Sequence, residues 1–425
     1  MPFFYDYDQN QSSTTNLLNN WTYWNHETLS VRGLRMDAVK NFPSSYVSQL
    51  MNNLQSTNRI PNMVVGEFWD GAANIKTWLD AVRTGMSAAA QSAIKVKAFD
   101  FPLRYALRDA CDDAGNNVRN ILFSGLNRSQ NVSGFNVVTF ANNHDFRENS
   151  GGNSVVRNNT NLAYAYILTN NQLGVPSIFY PDYYGYPAPA GGQYGYHPTG
   201  LPAYKTDIDR LLKVLRNQIN GSSAVSYLND YGGVNNSPSA PNNFISGLNP
   251  NKLLLYQLNG TGSAGGKDVI VAINFDSNPM KVDHAIAIQN GIATGTRFGD
   301  VLGRSGFPFA QVDGQNRIYV DLPAKSYSVW VRDYAPLSLT LTSTTACAGQ
   351  HHSDLYWSAG GPYSYGLRHG SNLPMVGGQH THWHRAGYHL HANQYEDGIC
   401  NLHSSRRATS CRPRCVGRCR RTVPQ

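Results

Sequence analysis

Short apolar runs alternate with amphipathic stretches over the first half of the chain, and most of the runs stop at a polar or charged residue. GLRMD, NMVVGE, KVKAFDF, NVVTF and VPSIFY read as strands of a buried parallel sheet. Between and after them, polar and apolar positions recur at helical spacing in residues 44–54, 75–91, 103–111, 118–126, 161–170 and 204–219. The pattern predicts five strand-helix units. After Asn220 the texture changes to NKLLLYQLNG, DVIVAINFDS and RIYVDLPAKSYSVWVRD, separated by Gly, Asn and Ser clusters, which predicts antiparallel strands. That second region is expected to start near Ser223.

A third region begins near Ala335. It opens on a Thr-rich, strand-like run and then loses hydrophobic periodicity after Ala346. It holds nine of the 13 His, five of the six Cys, nine Arg and no Lys. A metal or polyanion tail is one reading, because CRPRCVGRC and HTHWHR supply thiolates and imidazoles. Their spacing fits no common zinc finger. An unstructured tail, or translation in a shifted reading frame, accounts better for the abrupt change. The domain reading is thus 1–222, 223–334 and 335–425.

Charge must be divided in the same way. Of the net +8, the tail supplies +6, so the body before it is nearly neutral and implies no strongly anionic partner such as nucleic acid. No run approaches the roughly 18 apolar residues of a membrane span, and the first stretch shows no signal peptide. The 25 Tyr and seven Trp offer flat apolar faces suited to stacking on sugar rings.

Three carboxylates stand just past apolar runs: Asp37 in VRGLRMDAVKN, Glu67 in PNMVVGEFWDG and Asp145 in FNVVTFANNHD. A carboxylate at the carboxyl end of a barrel strand is how a β/α barrel presents acid and base groups, and pairs of such groups cut glycosidic bonds. These three stretches, in this order, resemble the second, third and fourth signature regions of the α-amylase family of glycoside hydrolases. The resemblance runs from about Phe3 to Asp333. It implies a partial (β/α)8 barrel, about strands four to eight, followed by a small β-sandwich. The family's first region has no counterpart in the chain, which reads as an amino-terminally truncated member.

Carried over residue by residue, the resemblance implies that Asp37 is the nucleophile, Glu67 the acid/base and Asp145 the carboxylate that binds sugar hydroxyls. Arg35, two residues before Asp37, offers it a charge-assisted hydrogen bond, and the apolar neighbours of Glu67 favour its protonated form. His144 is expected to donate to the same sugar, and Lys40 matches a substrate-binding lysine. Trp69 and Tyr183, the latter in a Tyr-rich loop with Tyr184, Tyr186, Tyr194 and Tyr196, are candidate stacking rings. Asn142 departs from the family, standing where an acidic or small residue is usual. Asn41 occupies a position whose backbone carbonyl helps hold calcium in relatives, although the side-chain ligands lack counterparts here. The implied substrate is an α-1,4-glucan, acted on by an extracellular monomer. Transglycosylation, or glucan binding without turnover, are the competing readings.

Overall fold

In the computed structural model of the chain, the described residues are 7–112, 115–146, 155–187, 200–221, 223–228, 250–288, 291–307 and 309–334, followed by five short strands within 338–403. Tyr194, Tyr196 and the HTHWHR and CRPRCVGRC motifs lie outside them. The chain divides into two compact units, Met1–Tyr334 and Ala335–Gln425.

The first unit opens its sheet with β1 (Gly33–Met36), β2 (Met63–Gly66), β3 (Val96–Phe99), β4 (Val137–Thr139) and β5 (Val175–Pro176). They lie side by side in chain order, every pair parallel. Parallel neighbours need a crossover, and an arc in which each strand pairs with the next is a partial β/α barrel. The crossover helices are Ser44–Ser56, Ala72–Gly85 with Ala88–Ala93, Phe101–Asp112 and Thr160–Thr169, and Lys205–Val214 follows the last strand. Strand and helix order agree with the sequence reading. A further helix, Ser12–Thr28, precedes β1 and had no counterpart in that reading.

Three elements differ from expectation, each for a local reason. The helix expected over 75–91 breaks after Gly85, and Ser87 caps a new one by accepting from the Ala90 amide at 3.2 Å. The helix expected over 118–126 divides at Gly125, because the buried Asp100 carboxylate takes the Leu126 amide at 3.0 Å and holds the chain extended there. VPSIFY pairs only at Val175–Pro176 and then turns into the short helix Tyr180–Tyr184, whose Pro181 suits a first helical turn.

The antiparallel region comprises β6 (Ala224–Tyr227), β7 (Leu253–Thr261), β8 (Lys267–Asn274), β9 (Met280–Ala287), β10 (Arg297–Asp300), β11 (Phe309–Gln311), β12 (Arg317–Leu322) and β13 (Ser326–Arg332). One sheet has the order β11-β10-β13-β8-β7-β6, and β12 pairs with β9. The unbroken apolar character of β7 and β8 follows from burial on both faces. Leu253, Leu255, Ile270, Ala272 and Trp330 point into the sandwich, where they meet Met280, Val282, Ile318 and Val320. Their neighbours one residue along, Leu254, Tyr256, Val271, Ile273 and Val329, pack on the barrel helices. The Thr160–Thr169 helix is buried all round, since it fills the layer between arc and sandwich. Tyr256 stands against Tyr166 edge-on at 5.8 Å, and its hydroxyl lies 2.5 Å from that of Thr169.

In the second unit, which the sequence reads as a strand-like opening followed by an unstructured tail, the described residues form β14 (Ser338–Leu341), within that opening, and β15 (Leu355–Ser358), β16 (Ser364–Leu367), β17 (His391–Gln394) and β18 (Cys400–His403) beyond it. They pair antiparallel as β14-β15-β16 and β17-β18. Thr, Leu, Tyr and Trp in the first three suit a pleated strand.

Candidate active site

Strand register brings the first two carboxylates together. Met36 pairs with Gly66, so Asp37 and Glu67 are the first residues past the same rung of the sheet. The ladder continues past the strands: the Glu67 amide donates to the Met36 carbonyl at 2.8 Å and the Val39 amide to the Glu67 carbonyl at 3.1 Å. Gly66 is needed directly below, because a β-carbon there would fall 2.3 Å from the Trp78 ring.

One guanidinium touches both acids. Arg35 ion-pairs with Asp37 through one nitrogen, and its other terminal nitrogen lies 2.9 Å from Oε1 of Glu67. Their exposures differ: the Asp37 side chain is 72% exposed and that of Glu67 only 8%. Burial therefore pushes the Glu67 carboxyl above its ordinary range; the Arg35 charge and the Ala38 amide oppose this, and hydrogen bonding and charge from Asp37 add to it. The arrangement sets one buried carboxyl, raised by desolvation, beside one open to solvent.

A cavity of about 190 Å³ opens beside Glu67 and Arg35, and Asp37 is not among its lining residues. Arg35, Glu67, Asn142, Asn143, His144 and Phe179 are among its lining residues. His144 is 60% exposed, and its Nε2 lies 3.3 Å from Asp145, which does not itself line the cavity. Two of the three acids thus share Arg35, and the third pairs with His144 of the cavity wall. Asn143 shapes that wall by accepting the amides of Asp145 and Phe146 at 2.9 and 3.2 Å.

The remaining sequence candidates lie around or away from this centre. Lys40 is exposed and donates to the Trp69 carbonyl at 2.9 Å, so it braces the loop after β2. Trp69 packs inward, stacked on Phe101 at 5.2 Å with its indole N–H donated to the Tyr105 hydroxyl at 2.8 Å. Tyr183 also turns from the cavity: its hydroxyl donates to Asp209 at 2.6 Å and accepts from Lys205 at 2.9 Å. Neither ring lines the cavity. Tyr180 and Tyr184 are exposed and packed on each other at 4.7 Å.

The structure adds residues that were not singled out. Phe99, Phe140, Ser177, Ile178 and Phe179 line the cavity. Each stands at the carboxyl end of a strand-like run, so a search of all strand ends rather than of acidic ones would have found them. A larger depression of about 490 Å³ lies on the outer helices, between Tyr105, Asp109, Asn120 and Phe123. It contains one carboxylate and no acid pair.

Asn41 is exposed at the end of the Val39–Asn41 turn. Among the described residues no group of three or more His, Cys, Asp or Glu is placed to hold a metal ion. Among the described residues, the group of carboxylates that a calcium site draws on does not gather around Asn41.

Two fully buried carboxyls lie beneath the site. Burial pushes Asp100 up to about 7 against the pull of the Leu103 and Leu126 amides, and Asp182 up to about 6 against hydrogen bonds from Tyr164 and Asn142. A carboxyl raised on folding binds more protons in the native state than in the unfolded one. Its contribution is complete below the unfolded value near about 4 and is lost as pH rises through the folded value. The urea midpoint is therefore expected to fall between about pH 4 and 7, and Asp100→Asn to flatten that fall. Identical slopes for the two proteins would remove Asp100 as a cause.

The chain is similar to proteins of known activity. It is 33% identical over 229 residues to a glucan 1,4-α-maltohexaosidase of a Bacillus strain, covering 53% of this chain and 39% of that one. It is 30% identical over 220 residues to an α-amylase of Geobacillus stearothermophilus, covering 51% and 36%. The chain thus spans less than two fifths of the length of these curated relatives. No protein-family profile matches it. Among solved structures, an Anoxybacillus α-amylase superposes with a TM-score of 0.50 at 15% identity, over 76% of this chain and 64% of that one. An α-amylase of Malbranchea cinnamomea does so with a TM-score of 0.50 at 14% identity, over 77% and 61%. At such identities the structural likeness concerns the fold.

Proposed function

The chain resembles the α-amylase family of glycoside hydrolases in sequence and in fold, and from that premise we propose that it hydrolyses internal α-1,4-glucosidic bonds of starch-like glucans with retention of configuration. The observation that carries the reading is the pairing of an open and a buried carboxyl on one guanidinium, at adjacent strand ends.

Cleaving an acetal requires a proton for the leaving oxygen and negative charge beside the anomeric carbon. Glu67, desolvated and raised, holds the proton and gives it to the glycosidic oxygen. Asp37 attacks the anomeric carbon, and the bond to the leaving oxygen breaks as the glycosyl ester forms. Glu67, now a carboxylate, takes a proton from water, whose oxygen displaces Asp37 and releases the α-configured sugar. Two displacements at one carbon restore its configuration. A retaining route needs carboxyls about 5–5.5 Å apart, whereas an inverting one leaves room for water between them; two acids that share one guanidinium suit the first. His144, at the cavity wall, donates to a sugar hydroxyl, with Asp145 behind it.

Incubation of the purified chain with soluble starch tests this. The expected result is new reducing ends, released first as the α anomer when followed by NMR. Longer oligosaccharides without net hydrolysis would assign transfer instead, and β-configured product would exclude retention.

A further inference from the structure

The wall of the cavity is held from below by a buried polar cluster that the chemistry itself does not use. Asn142, 3% exposed, lines the cavity. Its side-chain nitrogen donates to both oxygens of Asp182, at 3.1 and 3.2 Å, and its oxygen accepts the Val156 amide at 2.7 Å. Asp182, 2% exposed, also accepts the Tyr164 hydroxyl at 2.7 Å. That hydroxyl in turn accepts the Phe179 amide at 3.1 Å, and Phe179, in the segment after the adjacent strand β5, also lines the cavity. Arg104, fully buried, donates to the Ala141 carbonyl at 3.1 Å, next to Asn142, and its charge favours the Asp182 carboxylate.

We propose that Asp182 is a positioning residue that clamps two walls of the cavity at once, the turn bearing Asn143, His144 and Asp145 through Asn142, and the segment bearing Phe179 through Tyr164. Burying a carboxylate is expensive, and an apolar residue would fill the space more cheaply. What a carboxylate adds is two acceptor oxygens at fixed angle. With one, it binds the Asn142 amide and the Tyr164 hydroxyl together, so neither wall shifts without breaking a buried hydrogen bond. Donor and acceptor are matched: Asn142 must give and Asp182 must take. The sequence departs from its family at Asn142 in the sense this pairing requires, since an acid there would face a second carboxylate in a dry site. The clamp's effect on turnover rests on the hydrolase reading; the clamp itself does not.

The test is an exchange of the two side chains. Asp182→Asn turns a donor toward a donor, and Asn142→Asp turns a carboxylate toward a carboxylate. The double variant N142D/D182N restores one donor and one acceptor with the roles reversed. Amide hydrogen exchange, followed residue by residue by NMR, is expected to rise at least tenfold at residues 142–146 and 177–179 in each single variant. Exchange in β7 and β8 stays as in the parent, and the double variant recovers most of the protection. On soluble starch, kcat is expected to fall about tenfold in the single variants with KM little changed, and to recover in the double. Unchanged exchange in folded single variants, or no recovery in the double, overturns the clamp. A parent chain without activity whose exchange follows this pattern leaves the clamp standing and removes the hydrolase reading.

Discussion

Replacing Glu67 with Gln is expected to lower kcat on starch by about 10²–10⁴-fold, the range for loss of a positioned general acid. Gln keeps the shape and can accept the Ala38 amide, now 3.3 Å from Oε2, so the strand ends stay in register. What it removes is the proton. The loss should therefore depend on the leaving group: an aryl glycoside whose phenolate leaves unassisted should lose far less in its first step than a glucan. Asp37→Asn distinguishes the two acids, because losing the nucleophile harms both substrates alike. Equal losses for glucan and aryl glycoside in Glu67→Gln would deny it the role of acid. The proposed division of labour rests on environment, since both side chains are carboxyls on one arginine and only Glu67 is buried.

Trp330→Ala is expected to destabilise the first unit by about 3–5 kcal/mol, the usual result of truncating a buried Phe or Trp. Total stabilities are only about 5–15 kcal/mol, so such a loss takes much of the margin. Trp330 is 1% exposed and sits on β13, between β10 and β8, with its ring inside the sandwich. Val329 and Val331 beside it face the layer shared with the barrel helices. Failure of the sandwich should therefore carry the arc with it, as one urea transition moved to lower concentration and monitored by both near-ultraviolet and far-ultraviolet circular dichroism. Two separated transitions, with the arc unaffected, would show that the shared layer does not couple them.

The strands and most helices of the first unit were legible in the sequence because burial imposes a period that survives in the residues. Two-sided burial made MVVG and the apolar runs of β7 and β8 read as strands, whereas GLRM, at the end of the described sheet, is exposed at alternate positions. Less legible were the places where a distant side chain interrupts a local preference. The division at Gly125 depends on Asp100, 25 positions earlier, and no window of sequence contains that contact. The inward packing of Trp69 and the capture of Tyr183 by Asp209 and Lys205 were equally hidden. A ring near a strand end or on a loop can turn either to substrate or to core, and only its neighbours decide.

The sequence alone determined the order of the strands and placed Asp37 and Glu67 just past strand ends, with Asp145 on the turn after β4, because side-chain period and strand length are local properties of the chain. Tertiary structure decided which of these acids meet. Pairing of Met36 with Gly66 puts Asp37 and Glu67 at one level, Arg35 joins them, and burial of Glu67 alone gives the pair its asymmetry. It also decided that Asp145 stands behind His144, and that Asp182, 40 positions from Asn142, holds the wall. Register, desolvation and long-range hydrogen bonds arise between segments, so they exist only once the segments have been brought together.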